Sequence, residues 1–83
     1  LKKAMGYVLD LQGFTDSSGG SATNKRISLE RANAVRNQMI REYGANPSQI
    51  IASGLGSAQP IASNATSEGR AKNRRVTATL RLR

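Results

Sequence analysis

A carboxylate and a guanidinium occupy two positions of this sequence that a fold would bring together. Asp16 directly follows a stretch in which apolar and polar residues alternate, and Arg31 lies in the expected first turn of the next helix. In open sheets whose strands alternate with helices, ligands collect beyond the carboxyl ends of the strands, so both side chains should lie near one point. Two outcomes stay open. The side chains pair as a structural salt bridge, or they hold a zwitterionic ligand, Asp16 taking its ammonium and Arg31 its carboxylate.

The neighbours of this pair offer a second set of candidate contacts. A cation in the first turn of a helix opposes the helix dipole by roughly 0.3–1 kcal/mol, so Arg31 needs a compensating partner. Asn24 and Ser18 supply further donors and acceptors, or serve only as turn residues. Phe14 and Ile27 either wall an aliphatic ligand or pack in the core.

The composition argues against an enzyme. The sequence has no cysteine and no histidine, which removes disulfides, thiolate metal sites and the commonest general base. Its five acidic residues form no close pair along the chain. The Gly54-Leu55-Gly56 segment lacks the third glycine of a dinucleotide-binding motif. We therefore expect neither catalysis, nor a bound metal, nor a cofactor.

The net charge of +8 points toward an anionic partner. A nucleic-acid or polyanion-binding module is therefore an alternative function. However, the thirteen lysines and arginines are scattered, and three aromatic residues are too few for a base-stacking platform. No apolar run approaches the ~20 residues that span a bilayer, so membrane contact is expected only through parts outside this sequence.

The predicted elements place the candidate residues beside a small sheet. Residues 1–5 are typical of the last turn of a helix, and residues 7–13 alternate as a half-buried strand. After a polar loop, Ser28 is predicted to cap a helix that ends at Gly44. One apolar stripe of that helix faces the core. It comprises Ala32, Val35, Met39 and Tyr43.

The second half of the chain predicts two more strands. Residues 50–53 form a short strand candidate, residues 57–66 are a loop, and residues 67–71 make a single helical turn. Residues 74–82 alternate again, with a basic face toward solvent. This order predicts an α+β sandwich with helices on one face of a small mixed sheet. The sheet is small for a whole domain, so we expect an additional N-terminal strand outside this sequence.

Four segments resemble, in order, the signature motifs of the OmpA-like C-terminal domain. They are GFTDSSG at 13–19, NKRISLERA at 24–32, GLGSAQPIASN at 54–64 and GRAKNRRV at 69–76. Only the second departs visibly, because Ile27 stands where the motif has leucine. The family includes outer-membrane proteins, the Pal lipoprotein and flagellar stator proteins such as MotB.

The resemblance implies a βαβαβ-type fold and peptidoglycan as the ligand. Asp16 and Arg31 would bind the diaminopimelate of the stem peptide, which carries a carboxylate and an ammonium on an aliphatic chain. Arg75 would lie near the pocket, as a second carboxylate contact or as support. The complete set of implied ligand-binding residues is Asp16, Arg31, Asn24, Ser18, Thr15, Phe14, Ile27 and Arg75.

The resemblance also implies where such a domain works. Residues 1–83 would form a single OmpA-like peptidoglycan-binding domain, N-terminally truncated because the family's first strand is absent. It would anchor an envelope protein in the periplasm, near the outer membrane, with peptidoglycan and not nucleic acid as its partner. A homodimer, and a protein-interaction module without wall binding, remain open alternatives.

Overall fold

The described residues form six elements of secondary structure. The computed structural model describes residues 6–82, so the helical turn expected at 1–5 lies outside the described residues. The elements follow the order strand, helix, strand, helix, strand, with one 3₁₀ turn before the second strand. They are β1 (Tyr7–Phe14), α1 (Ser21–Tyr43), the 3₁₀ turn (Pro47–Gln49), β2 (Ile50–Gly54), α2 (Ser67–Asn73) and β3 (Arg75–Leu82).

The three strands form one mixed sheet with β1 at its centre. β2 runs parallel to β1 and β3 runs antiparallel to it, and Leu11 in β1 lies between Ala52 and Ala78. A parallel pair needs a crossover, and α1 supplies it. The predicted βαβαβ order and the mixed sheet are therefore confirmed.

The core lies between α1 and the face of the sheet that carries Leu11. Leu11 and Ala32 are fully buried, Ile50 nearly so, and Val35 and Met39 pack against them. Strand alternation brings one side of β1 to this face, and helical spacing brings the matching side of α1. The periodicity read from the sequence is thus the periodicity that builds the core.

Glycines let α1 approach the ends of β1 and β2 at backbone distance. A Cβ atom on Gly13 would stand 1.9 Å from the carbonyl oxygen of Ser28, and one on Gly54 would stand 2.5 Å from that of Lys25. The buried Ser28 hydroxyl donates to the Lys25 carbonyl and accepts from the Gly56 N–H, each at 2.9 Å. This contact sets how α1 lies over the loops that follow the two strands.

The predicted start of α1 at Ser28 is wrong. The helix begins seven residues earlier, at Ser21, with Gly20 in the N-cap position, and Ser28 lies in its interior. The short polar residues of the first two turns favour caps and loops on propensity alone. Asn24 and Ser28 are nevertheless buried, because small side chains are what this close approach admits. Arg31 is therefore not in the first turn, and the dipole argument for its partner fails.

Three apolar side chains, on α1 and β3, are exposed although their patterns predicted burial. Tyr43, assigned to the core stripe, is 72% exposed, and Ile40 packs on the core in its place. On β3, Val76 packs against the core, whereas Leu80 and Leu82 are exposed. The buried part of the helix face covers β1 and β2 rather than the far end of β3.

The ends of both helices follow local chemistry. Gly44 adopts φ 66° and its N–H donates to the carbonyl of Met39, which confirms the predicted stop of α1. Thr66, and not Ser67, caps α2 by accepting from the Gly69 N–H at 3.0 Å. Within residues 6–82, neither helix combines the length and the apolar character needed to cross a membrane.

Candidate functional site

Asp16 forms the centre of a polar site just after β1. Its Oδ1 accepts a hydrogen bond from the backbone N–H of Ser18 at 2.8 Å, and its Oδ2 pairs with Nη1 of Arg74 at 2.5 Å. The Asp16 side chain is 10% exposed and that of Arg74 is 42% exposed. The carboxylate therefore lies at the floor of the site and the guanidinium at its rim.

The loops after β1 and β2 are joined by their backbones next to this site. The Thr15 N–H donates to the carbonyl of Gly56 at 2.7 Å, and the Leu55 N–H donates to that of Gly13 at 3.0 Å. Gly56 adopts φ 62°, a conformation that favours glycine. These bonds continue the parallel β1–β2 pairing past the strand ends. The backbone just before Asp16 is therefore held in place.

The pKa of Asp16 is lowered from its ordinary value of 3.8 to about 2. The largest cause is the hydrogen bond from the Ser18 backbone, followed by the hydrogen bond from Arg74 and one from the Ser18 hydroxyl. Burial acts in the opposite direction, because it disfavours the charged form. The carboxylate is thus held in its ionised form throughout the physiological pH range.

This lowered pKa predicts a defined acid response. Asp16 contributes to the free energy of unfolding above its ordinary pKa, and the contribution disappears as pH falls from 3.8 toward 2. The stability difference between the wild type and Asp16→Asn should be constant above about pH 5 and shrink progressively between about pH 5 and pH 1. Urea unfolding at several pH values measures this. A difference that vanishes well above pH 4 would contradict the assigned contacts.

The structure does not pair Asp16 with Arg31. The salt bridge considered from the sequence is wrong, because the ion-pair partner of Asp16 is Arg74. Arg31 lies exposed in the third turn of α1 and makes no hydrogen bond or ion pair with the residues that the structure describes. Its part in binding a ligand remains a prediction.

Arg74 is the site residue that the sequence reasoning missed. It lies in the GRAKNRRV motif at 69–76, but the resemblance implied a role near the pocket for its neighbour Arg75. Arg74 is the C-cap of α2, one residue before β3, and its chain position is 58 residues from Asp16. The doubled arginine after a helix was the available signal, yet it does not say which of the two points to the carboxylate.

Arg75 acts as internal support. Its guanidinium lies 3.9 Å from the centroid of the Phe14 ring, opposite it across the β1–β3 pair. Its N–H groups donate to the carbonyls of Gln59 at 2.9 Å and Asn73 at 3.2 Å. Phe14 is 1% exposed, which fits the core alternative for this residue rather than a ligand wall.

The remaining candidates divide by burial. Thr15 and Asn24 are buried, Ser18 is exposed, and Ile27 is half-buried on α1. Within residues 6–82, the Thr15 hydroxyl is buried without a hydrogen-bond partner. A buried polar group without a partner is unusual and suits a ligand or water contact. The structure therefore brings Ser18 and Arg74 to the carboxylate of Asp16, and Thr15 adjoins them as the preceding residue of the chain.

A metal centre finds no support in the described part of the chain. No group of three acidic side chains there could hold a cation. Because the carboxylate of Asp16 already faces an arginine, its chemistry is that of charge pairing rather than metal ligation.

Comparisons with known proteins agree with this fold. A profile of the OmpA family matches residues 1–74. Outer membrane porin F of Pseudomonas aeruginosa is 50% identical over 68 residues, which are 82% of this chain and 19% of the porin. Peptidoglycan-binding protein ArfA of Mycobacterium tuberculosis is 47% identical over 76 residues, 92% of this chain and 23% of ArfA. The periplasmic domain of Helicobacter pylori MotB matches with a TM-score of 0.81 and 34% identity, over 99% of this chain and 51% of that structure.

The chain belongs to the OmpA family. It spans about a fifth of the length of the two curated relatives. Membership confirms the resemblance drawn from the four motifs, and the OmpA-like domain is not an enzyme family. The α+β fold with helices on one face of the sheet is likewise confirmed.

Proposed function

We propose that this domain binds peptidoglycan by its stem peptide, with the diaminopimelate ammonium held at Asp16. The observation that carries the proposal is the buried, ionised carboxylate of Asp16 at the floor of a site with a half-exposed guanidinium, that of Arg74, at its rim. A relative 47% identical over nearly the whole chain is itself a peptidoglycan-binding protein. Both signs of charge on the ligand thus have a partner within one site.

The ammonium would add a hydrogen bond to Asp16 without displacing the ones already there. Ser18 and Arg74 each occupy one oxygen of the carboxylate, and a carboxylate accepts about four hydrogen bonds. The buried Thr15 hydroxyl offers a further contact. Charge-assisted hydrogen bonds are about twice as strong as neutral ones, so the ammonium contributes a large share of the affinity.

The ligand carboxylate would be held by arginine. Arg31 has its full set of donors available, and Arg74 uses one nitrogen on Asp16. A guanidinium binds a carboxylate through two parallel hydrogen bonds, which a lysine cannot do. Ile27, half-buried on the same helix as Arg31, would pack against the aliphatic chain.

This function places the domain in the periplasm as an anchor between the cell wall and an envelope protein. Porin F and the MotB domain, by their names, belong to the outer membrane and the periplasm. Attachment to a membrane would come from parts of the protein outside this chain. Self-association is a separate proposal, which sedimentation of the isolated domain would test.

A pair of arginine substitutions on α1 tests the proposal. Arg31→Glu should lower the affinity for isolated sacculi at least about tenfold, because it replaces a carboxylate-binding group by a repelling one. Arg41→Glu is the matched control, since it makes the same change in net charge at another exposed position of α1. Pull-down with increasing amounts of sacculi measures both.

Three results of this experiment have different meanings. Loss with Arg31→Glu alone supports a specific site. Equal loss with both variants, together with a steep salt dependence, would indicate a polyanion binder driven by the net charge of +8. If Arg31→Glu binds sacculi as well as the wild type does, Arg31 is not part of the binding site.

A further inference from the structure

A closed ring of contacts joins the two charged residues of the site through two asparagines. Asp16 is followed in the chain by Ser17, whose N–H donates to Oδ1 of Asn64 at 3.3 Å. The same Oδ1 accepts from Nδ2 of Asn73 at 2.8 Å. Asn73 is followed in the chain by Arg74, and the ion pair of Arg74 with Asp16 closes the ring.

Asn73 is the fixed point of this ring. Its side chain is fully buried, and its Oδ1 accepts from the N–H groups of Ile61 at 2.8 Å and Ala62 at 3.0 Å. Its Nδ2 donates to the carbonyl of Ala62 at 3.0 Å as well as to Asn64. All four hydrogen bonds that an amide side chain can make are therefore present, so Asn73 ties the end of α2 to the loop before it.

Asn64 is the link between that fixed point and the Asp16 loop. Both bonds to its Oδ1 come from N–H donors on different segments, so the amide can only be oriented with the oxygen toward them. Its backbone carbonyl is held by Nη1 of Arg70 at 3.0 Å. The side-chain oxygen thus stands on a supported backbone and reaches the residue next to Asp16.

We infer that Asn64 is a positioning residue that holds Asp16 and Arg74 in contact for ligand binding. Without its Oδ1, the Ser17 N–H loses its partner and the Asp16 loop is tied to α2 through the ion pair alone. Arg74 is half exposed and flexible enough to leave Asp16 when the loop shifts. The ligand role rests on the proposed peptidoglycan function, whereas the geometric role does not.

Asn64→Ala tests this inference by two readouts. Affinity for sacculi should fall roughly three- to tenfold, the loss expected for one or two hydrogen bonds. The pKa of the Asp16 carboxyl, followed by NMR titration, should rise part of the way from about 2 toward 3.8, because Arg74 is no longer held against it while the hydrogen bond from the Ser18 backbone remains. A loss of global stability would not change this pKa in the folded molecules.

Asn46→Ala is the matched control. Asn46 also accepts two hydrogen bonds at its Oδ1, from the N–H and hydroxyl of Ser48, but it caps the 3₁₀ turn outside the ring. It should leave both the affinity and the Asp16 pKa at their wild-type values. In an Arg74→Ala background, Asn64→Ala should no longer change the Asp16 pKa, since the two residues act through one contact.

The outcomes separate the two proposals. If Asn64→Ala leaves the Asp16 pKa at about 2, the inference is overturned whatever the chain binds. If that pKa rises while the wild type itself does not bind sacculi, the ring is upheld and the peptidoglycan function fails. If the pKa rises and the affinity of Asn64→Ala equals that of the wild type, Asn64 has no positioning role in binding and the inference fails in that part.

Discussion

Asp16→Asn is expected to weaken binding to sacculi about 30-fold or more, while the chain stays folded. The substitution removes the charge that would pair with the ligand ammonium, and losing one partner of a close charge pair costs about 2 kcal/mol or more. The asparagine oxygen can still accept from the Ser18 N–H, and Arg74 at the rim can be solvated. Sacculus pull-down and circular dichroism measure the two halves of this result.

The strand that precedes Asp16 provides the control for Asp16→Asn. Asp10 of β1 pairs with Arg81 of β3 through two hydrogen bonds, of 2.5 and 3.3 Å, diagonally across the β1–β3 ladder. Asp10→Asn therefore also breaks an aspartate–arginine pair and raises the net charge by one, but outside the site. Equal binding losses for the two variants would refute a specific role of Asp16.

Gly13→Ala is expected to lower the free energy of unfolding severely. The new methyl would stand 1.9 Å from the Ser28 carbonyl oxygen, a backbone atom that cannot turn away, so α1 must move off the sheet. Such overpacking costs about 3 kcal/mol or more, against a total of roughly 5–15 kcal/mol for a small domain. Urea unfolding followed by circular dichroism should show a much lower midpoint or no native baseline.

Gly6→Ala is the comparison for this prediction. It introduces the same methyl at the residue before β1, where no atom of residues 8–82 lies within 4 Å of the new Cβ. Its urea midpoint should stay close to that of the wild type. Were Gly13→Ala as stable as Gly6→Ala, the close contact between α1 and the end of β1 would be wrong.

The predictions for Asp16→Asn and Gly13→Ala concern two different roles of residues in the segment 13–16. Gly13 lets α1 lie directly against the end of β1, and Asp16 uses the rigid loop that results. The Ser28 hydroxyl connects the two, because it binds the Gly56 N–H of the loop that in turn receives the Thr15 N–H. The close packing of α1 against the end of β1 is therefore a condition for the charged site, because it holds the loop that carries Asp16.

The parts of the fold that were predictable are those with a local cause. The alternation at 7–13 and 74–82 predicted two strands, and both lie within a residue or two of those bounds, although the apolar residues Leu80 and Leu82 of the second are exposed. Gly44 ends α1 because it alone accepts the left-handed conformation there at no cost. The start of α1 was not predictable in this way, since its polar first turns are stabilised by contacts with Gly54 and Gly56.

The sequence by itself determined the class of elements, the family motifs and the position of Asp16 at the end of a strand. Only the tertiary structure decided which of three candidate arginines pairs with that carboxylate. Arg31, Arg74 and Arg75 carry the same charge, and no periodicity separates them. The choice falls on Arg74 because α2 ends beside the Asp16 loop, 58 residues away along the chain. A hydrogen bond between the buried amide of Asn73 and the half-buried amide of Asn64 fixes that approach, and such a bond depends on packing in three dimensions rather than on local spacing.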